Sequence, residues 1–518
     1  MLLGDILELN AVKWPDRVAL TFGELTYTFE ELRQRSRRLA VALQSLTGTA
    51  AGDRIAVLSE NTVEYIDAYY GVPSAGMALV PLNYRLNPHE LAWIIQDAQA
   101  SVLIVQRAYL PAILAVRDLF PCVRHLVVTG GLPDDVDVLD FDALVNAADP
   151  ANLGKTPDED DVAWQLYTSG TTGNPKGAML THRSLVVAII NSVVANAVHS
   201  DERTLFCFPL CHVAGYLVTI SHMVGAPVVM MQTFAPGPWI ELVDRHRITS
   251  AGLAPTMVNF VLQHPTIDDH DLSSLESIGY GAAAMPVELL RATINRFGPI
   301  VWSTFGMTEL SGSVLTHPRS VHVRAANGEE HLLASCGRPQ MLAAVKVVDP
   351  EMNELGPTEV GEIVVRGEQV LQGYWNLPQA TEEAFRGGWF HTGDMAYRDE
   401  EGFFYIVDRL KDMIITGGEN VYSRQVEEVL YLHPGVSEAA IIGVPDPVWG
   451  ERVVAVIAMK AGVEPVADEI LSVCRGRLAG FKTPREVHFV DELPKNVSGK
   501  ILKRELRDRF SGLSSKSV

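Results

Sequence analysis

The stretch Asp53–Asn83, DRIAVLSENTVEYIDAYYGVPSAGMALVPLN, decides the fold class. Its ends, DRIAVLSEN and MALVPLN, are short apolar runs, while NTVEYIDAYYGVPSAG between them has the pattern of a helix. Strand, helix, strand in that order predicts α/β layering. The alternation continues outward through PHELAWIIQDAQ, SVLIVQ and HLVVTGG. Further on, Leu253–Ile278 and Ala284–Arg296 carry helical periodicity, and ESIGYGAAAMP reads as a strand running into a Gly/Ala turn. From Cys336 the texture changes. GRPQMLAAVKVVD, GEIVVRG and WFHTGDMAYRDEEGFFYIVDRL read as short strands and hairpins. Beyond Asp408–Asp412, SRQVEEVLYLHPGV and ADEILSVCRGRLAG read as helices, and EAAIIGVPD and RVVAVIAMK as strands. The expected architecture is a large α/β domain of layered subdomains with a β-rich subdomain, residues 1–410, followed by a small α+β domain, residues 411–518. SGLSSKSV at the end carries no apolar pattern, and no internal repeat or low-complexity tract is evident.

The 518 residues are 47% hydrophobic and 20% charged, ordinary for a globular chain with a sizeable core. The 42 Lys and Arg against 63 Asp and Glu give a formal charge of −21. That excludes a broad surface for nucleic acid, and an anionic ligand must be held by a local cationic site. Five scattered cysteines fit reduced thiols in a cytoplasmic protein. Cys207, Cys211 and His212 cluster without zinc-knuckle spacing, so a structural zinc is not expected. The N-terminus lacks the basic region of a signal peptide. Leu185–Val198 and Val213–Met231 are apolar but interrupted by polar residues and Pro227, so they read as buried helix or strand and not as membrane spans.

One polar loop stands out, LYTSGTTGNPKGAML, Leu166–Leu180. Gly170, Gly173 and Gly177 let the backbone approach a ligand, Thr168, Ser169, Thr171 and Thr172 add hydroxyl donors, and Lys176 adds one compact positive charge. The set suits a polyphosphate, though the spacing departs from the Walker pattern. A solvated polar turn is the bland alternative.

With FPLCHVAG, YGAAAMP, STFGMTE, GGWFHTGD, DRLKDMIITGGENVYSRQVEE and PKNVSGKILK, in this order over essentially the whole chain, the loop resembles the adenylate-forming acyl-CoA synthetase family. The resemblance implies a two-step reaction. A carboxylate attacks ATP to give an acyl-adenylate and pyrophosphate, and the thiol of CoA then displaces AMP. It implies Thr168, Ser169, Gly170, Thr171, Thr172, Gly173 and Lys176 around the β- and γ-phosphates, and Glu309 on Mg²⁺ with Thr308 beside it. Gly281, Ala282 and Ala283 would approach the adenine edge, with Phe305, Gly306 and Met307 nearby; Phe305 stands where the family commonly has Tyr and keeps the ring without the hydroxyl. Asp394 and Arg409 resemble the ribose contacts. Lys500 resembles the mobile lysine that bridges carboxylate and α-phosphate, and Lys411 the pivot of the small mobile domain. His212 falls at the position near the acyl pocket, with a buried core histidine as the competing reading. Gly417 and Gly418, taken as strand residues, resemble the pair lining the pantetheine channel, and Trp449, Phe481, Lys482 and Arg485 are weaker candidates for the CoA nucleotide.

Acyl-pocket walls are expected from Phe208, Val213, Tyr216, Met257, Tyr280 and Leu310, with Gly215, Gly252, Gly279 and Gly312 leaving room and no evident buried charge. That predicts a hydrophobic acid, whether fatty, aryl or polycyclic. The ligands implied are therefore a carboxylic acid, ATP, Mg²⁺ and CoA, with homodimerisation open. A carrier-protein thiol in place of CoA, a luciferase-like oxidase and a homologue running one half-reaction are the alternatives.

Overall fold

A computed structural model describes residues 1–132, 136–168, 175–281, 285–475, 477–495 and 501–511. The chain divides into two compact units, one comprising 1–282, 289–345 and 365–390, the other 283–288, 346–364 and 391–518.

In the first unit the opening stretch becomes strand Arg54–Leu58, helix Val63–Ser74 and strand Ala78–Leu82. Thr62 caps the helix by accepting from the Tyr65 N–H, which fixes where the helix begins. Arg54–Leu58 lies parallel to Ala78–Leu82 and to Ala100–Gln106, which pairs parallel with His125–Thr129. The other edge is antiparallel: Val162–Thr168 pairs with Lys176–Thr181, and Lys176–Thr181 with Gly373–Tyr374. Together with Leu139–Asp140 these make an eight-stranded sheet. Its buried strands are runs of Ile, Val and Leu, as a parallel sheet covered on both faces requires.

A second, nine-stranded sheet has the parallel centre Val228–Met230, Thr204–Phe206, Ser250–Leu253, Ser277–Tyr280 and Val301–Met307. Gly312–His317 returns antiparallel beside Val301–Met307. The helical expectation over Leu253–Ile278 is too long. The helix occupies Pro255–Leu262 only, with a 3₁₀ turn at Ile267–Asp269 before the strand. Pro265 restricts His264, and the turn-forming DDHDLSS follows, so the helix cannot continue. The two apolar stretches resolve into helix His182–Ala195, and helix Tyr216–Met223 with strand Val228–Met230. Among the described residues no helix is long and apolar enough to cross a membrane.

The second unit holds two sheets. One contains Ala344–Val348, Gly361–Arg366, Phe390–Arg398 and Phe404–Arg409, the hairpin-rich region foreseen after Cys336. The other is built on the long hairpin Val436–Asp446 and Gly450–Met459, with Glu486–Phe489 parallel to its second strand. Helices Ser423–Leu430 and Ala467–Arg475 are amphipathic, and Val426, Leu430, Ile470 and Cys474 join this sheet's core.

Three buried histidines of the first unit make its stability sensitive to acid. His222 accepts from the Tyr70 hydroxyl at 2.8 Å on Nδ1 and donates from Nε2 to the Ala19 carbonyl at 3.1 Å. His322 accepts from the Tyr280 hydroxyl at 3.0 Å and donates to the Pro318 carbonyl at 3.2 Å, and His182 accepts the Leu3 N–H at 3.1 Å. Each ring spends a lone pair that protonation would remove. Burial accordingly pushes all three down to about 4. The unfolded chain, titrating near 6.5, binds protons that the folded one does not, so stability falls as pH drops from about 6.5 toward 4. Denaturant melts at pH 7.5 and pH 5.0 should differ by on the order of 1–2 kcal/mol for each histidine. Equal midpoints and slopes at the two pH values would refute it.

Candidate active site

In the first unit the antiparallel register sets Thr168 opposite Lys176, and Tyr167 opposite Gly177. Residues 169–174 between them lie outside the described residues, so Ser169, Gly170, Thr171, Thr172 and Gly173 do too. The flanks nevertheless make Thr168 and Lys176 cross-strand partners. Gly177 is needed there, because a Cβ would come within 2.9 Å of the Gln165 amide and 3.1 Å of the Tyr167 ring.

Glu309 reaches the same place from the other sheet. Strand Val301–Met307 ends in the 3₁₀ turn Thr308–Leu310, and Ser311 at φ 55° and Gly312 at φ 145° turn the chain back. A Cβ on Gly306 would meet the Gly312 carbonyl at 1.9 Å, so the turn closes only around glycine. Glu309 is 6% exposed. Its Oε1 accepts from the Thr168 hydroxyl at 3.3 Å and the Tyr374 hydroxyl at 3.2 Å, and its carbonyl accepts from the Leu371 N–H at 2.8 Å. Lys176 Nζ lies 5.0 Å from the Tyr374 ring centre, in cation–π range. Burial, and then the Glu309 charge, raise the Tyr374 hydroxyl so that it stays a donor. Tyr374 was missed in the sequence. Its only signal there is the dipeptide Tyr374-Trp375, whose strand pairs with Lys176–Thr181 and whose Trp375 N–H donates to the Gly177 carbonyl at 2.8 Å.

Among the described residues no three His, Cys, Asp or Glu converge where a metal could sit. A single buried carboxylate flanked by the hydroxyls of Thr168 and Tyr374 does fit a hard cation that takes its remaining ligands from phosphate oxygens and water. Cys207 donates its thiol to the Gly252 carbonyl at 3.4 Å, and burial pushes both Cys207 and Cys211 up to about 12. His212 is held down to about 4 by burial and then by the Arg85 charge, with its Nε2 buried and without a hydrogen-bond partner among the described residues.

Beside this cluster a cavity of about 170 Å³ runs along the parallel strands of the nine-stranded sheet. Gly281, Gly306 and Met307 line one end, and Phe206, Phe208, Val213, Tyr216, Leu217, Tyr280 and Trp302 the body. Three of the four anticipated glycines line it. A Cβ would meet Phe208 at 3.1 Å from Gly252, Trp302 at 2.5 Å from Gly279, and Tyr216 at 2.6 Å from Gly312. Gly215 instead packs on Tyr69, and neither Met257 nor Leu310 reaches the lining. Contrary to expectation the wall includes a carboxylate, Glu202. Phe305 is half-buried, opposite Leu315 in the strand pair, and Ala282 and Ala283 lie outside the described residues.

The second unit brings other candidates together. Asp394 and Arg409 face each other across a strand pair, with Arg409 Nε 2.9 Å from Asp394 Oδ1 and Asp394 only 4% exposed. Gly393, at φ 71°, donates its N–H to Glu362 at 2.9 Å and so sets the bend before Asp394. Lys411 is exposed, and partial desolvation by its surroundings lowers its ammonium below the usual range. Either side of it is anchored: Asp412 accepts from Arg507 at 2.7 Å and Asp408 from the Ser423 hydroxyl at 3.0 Å. Gly417 and Gly418 are not strand residues. They are the two-residue turn between Ile414–Thr416 and Glu419–Val421, at φ 61° and 84°, which favours glycine at both positions. A Cβ on Gly417 would come within 2.9 Å of the Trp449 indole, on which Arg485 stacks at 4.3 Å. Phe481 is 37% exposed, with Lys482 5.7 Å from its ring. Lys500 lies outside the described residues.

The family described as AMP-binding enzyme matches residues 7–375, and the AMP-binding enzyme C-terminal domain matches residues 425–500. A feruloyl-CoA synthase of an Amycolatopsis species is 40% identical over 96% of this chain and 96% of its own. A long-chain-fatty-acid–CoA ligase of Bacillus subtilis strain 168 is 35% identical over 97% and 94%. The solved structure of the anthranilate CoA ligase AuaEII with anthranoyl-AMP superposes with a TM-score of 0.89 at 27% identity, covering 98% of this chain and 97% of that one.

Proposed function

The chain belongs to the AMP-binding enzyme family as an acid–CoA ligase, and from that premise we propose that it activates a hydrophobic, ring-bearing carboxylic acid with ATP and passes the acyl group to CoA. The observation that carries the reading is the cavity. It is mostly apolar, and it ends at Met307, two residues from the buried Glu309 that Thr168 and Tyr374 hold in place. An acid seated there has its carboxylate beside hydroxyls, an ammonium and a cation-binding carboxylate. The names of the feruloyl and anthranilate relatives support a flat aromatic skeleton.

A free carboxylate is a poor electrophile, and making it the nucleophile toward the α-phosphate solves that problem by installing AMP as leaving group. Two anions must approach, so positive charge has to be placed between them. Lys176 acts on the outer phosphates and Lys500 between carboxylate and α-phosphate. Mg²⁺, held through Glu309, would neutralise phosphate charge as the pyrophosphate departs. Asp394, with Arg409 fixing its orientation, accepts from ribose hydroxyls. In the second step the thiol enters past Gly417 and Gly418, where a side chain would obstruct it, while Trp449, Arg485, Phe481 and Lys482 hold the CoA nucleotide by stacking and charge. Lys411 is the pivot between the steps.

The test incubates the protein with ATP, Mg²⁺, CoA and a panel of aryl, fatty and polycyclic acids, and follows pyrophosphate and acyl-CoA separately. Aryl acids should give both products in equal amounts. Pyrophosphate without thioester would restrict the chain to one half-reaction, and neither product from any acid would overturn the reading.

A further inference from the structure

Parallel strands give the cavity two distinct ends. Ser250 lies opposite Ser277, and Gly281 is four residues further along that strand, so the two levels are about 13 Å apart at roughly 3.3 Å per residue. The end at Gly281 and Met307 leads to Glu309. The opposite end, at the N-terminal edge of the strands, is polar: Thr204, Ser221 and Ser250 line it, and so does Glu202, two residues before the strand Thr204–Phe206. Thr204 and Ser250 sit in register on neighbouring strands. Ser221 donates its hydroxyl to Thr204 at 2.9 Å from the helix above. Three hydroxyls and a carboxylate thus gather at the far end of an otherwise apolar slot.

We propose that Glu202, supported by Ser250 and Thr204, is a specificity-determining subsite that accepts a hydrogen bond from a hydroxyl or N–H on the end of the acid remote from its carboxylate. This rests on the function proposed above and narrows its substrate class. The chemistry follows from what the slot lacks. A carboxylate facing an apolar cavity is left under-solvated, and a donor on the ligand supplies the bond that water would otherwise make. Burial raises the Glu202 carboxyl above its ordinary range, against the Ser250 hydroxyl and the His199 charge, which act to lower it. An acid ending in a methyl or bare ring edge offers no donor to the carboxylate's remaining acceptor positions beside Ser250. A site built to bond a polar group discriminates against the analogue lacking it far better than a greasy pocket discriminates by size.

The experiment compares 3-(4-hydroxyphenyl)propenoic acid with 3-phenylpropenoic acid on the full chain, reading kcat/KM for pyrophosphate release and, by calorimetry, the Kd of each acid. Wild type should favour the hydroxylated acid by about tenfold or more. In Glu202→Leu the ratio should collapse toward one. In Glu202→Gln, which keeps shape and an acceptor oxygen, it should fall to an intermediate value, and thermal melts report whether either variant folds. A wild-type ratio near one, or a ratio that survives in Glu202→Leu, overturns the subsite while leaving the ligase reading standing. If no acid is activated at all, the ligase reading fails, and the ratio of the two Kd values decides the subsite by the same criterion.

Discussion

Lys500→Ala is expected to lower pyrophosphate release by on the order of a hundred- to a thousandfold, the usual cost of deleting one group aimed at charge that develops in the transition state. Supplied with synthetic acyl-adenylate and CoA, the same variant should form thioester at close to the wild-type rate. The asymmetry follows from charge. Before adenylation a carboxylate and a polyphosphate must meet inside a protein whose formal charge is −21, so one lysine placed between them has a large effect. After adenylation the acyl carbon is already activated, and no second anion has to be brought to it. The described residues on either side are paired, Lys495 bridging Ile501 and the Leu502 N–H donating to the Pro494 carbonyl at 2.8 Å, and the substitution touches neither contact. Equal loss in both half-reactions would remove Lys500 from the proposed role.

Glu309→Gln should lower ATP-dependent turnover by about a hundredfold and move the Mg²⁺ titration to higher concentration, while leaving thermal stability nearly unchanged. Gln keeps an oxygen to accept from Thr168 and Tyr374, so both hydroxyl contacts survive the substitution. What disappears is the negative charge, and a hard divalent cation is held by charge as much as by geometry. An unchanged Mg²⁺ dependence would take Glu309 out of the metal site and leave it as the buried brace of the turn after Met307.

The fold class was legible because parallel strands buried on both faces are written as near-continuous apolar runs, as in Ile55–Leu58 and Val102–Val105. Thr168, Lys176 and Glu309 were candidates from the sequence by residue type, hydroxyl, cation and carboxylate, as phosphate chemistry would use them. Their convergence was not legible, since it depends on strand register and on a turn that only Gly306 and Gly312 permit. Tyr374 was invisible because its role arises from a two-residue strand pairing with a partner almost 200 positions away. Gly417 and Gly418 illustrate a subtler failure. Glycine in an otherwise extended stretch reads as thin strand, whereas two successive positive φ values make these two the turn itself. Glu202 escaped because a carboxylate among polar neighbours in sequence reads as surface, whereas the fold sets it in the lining of the same cavity as Tyr216, Leu217, Ile220 and Ser221.

The long axis of the cavity has an evolutionary consequence. On the roles proposed above, chemistry is anchored where the strands end and selectivity where they begin, about 13 Å apart by the strand rise. Substitutions that far apart with no shared partners combine additively as a rule. Mutations at Glu202, Thr204 or Ser250 can therefore accumulate and drift without disturbing Thr168, Lys176 or Glu309, so a descendant lineage can exchange one acid for another while inheriting its reaction intact. The glycines along the cavity body widen that freedom in one direction only. Gly279 already presses against Trp302, so a larger residue there is barred unless the indole is replaced first, and Gly312, against Tyr216 at φ 145°, is held to glycine by its backbone as well. New specificities should thus arise at the polar end before they arise along the walls.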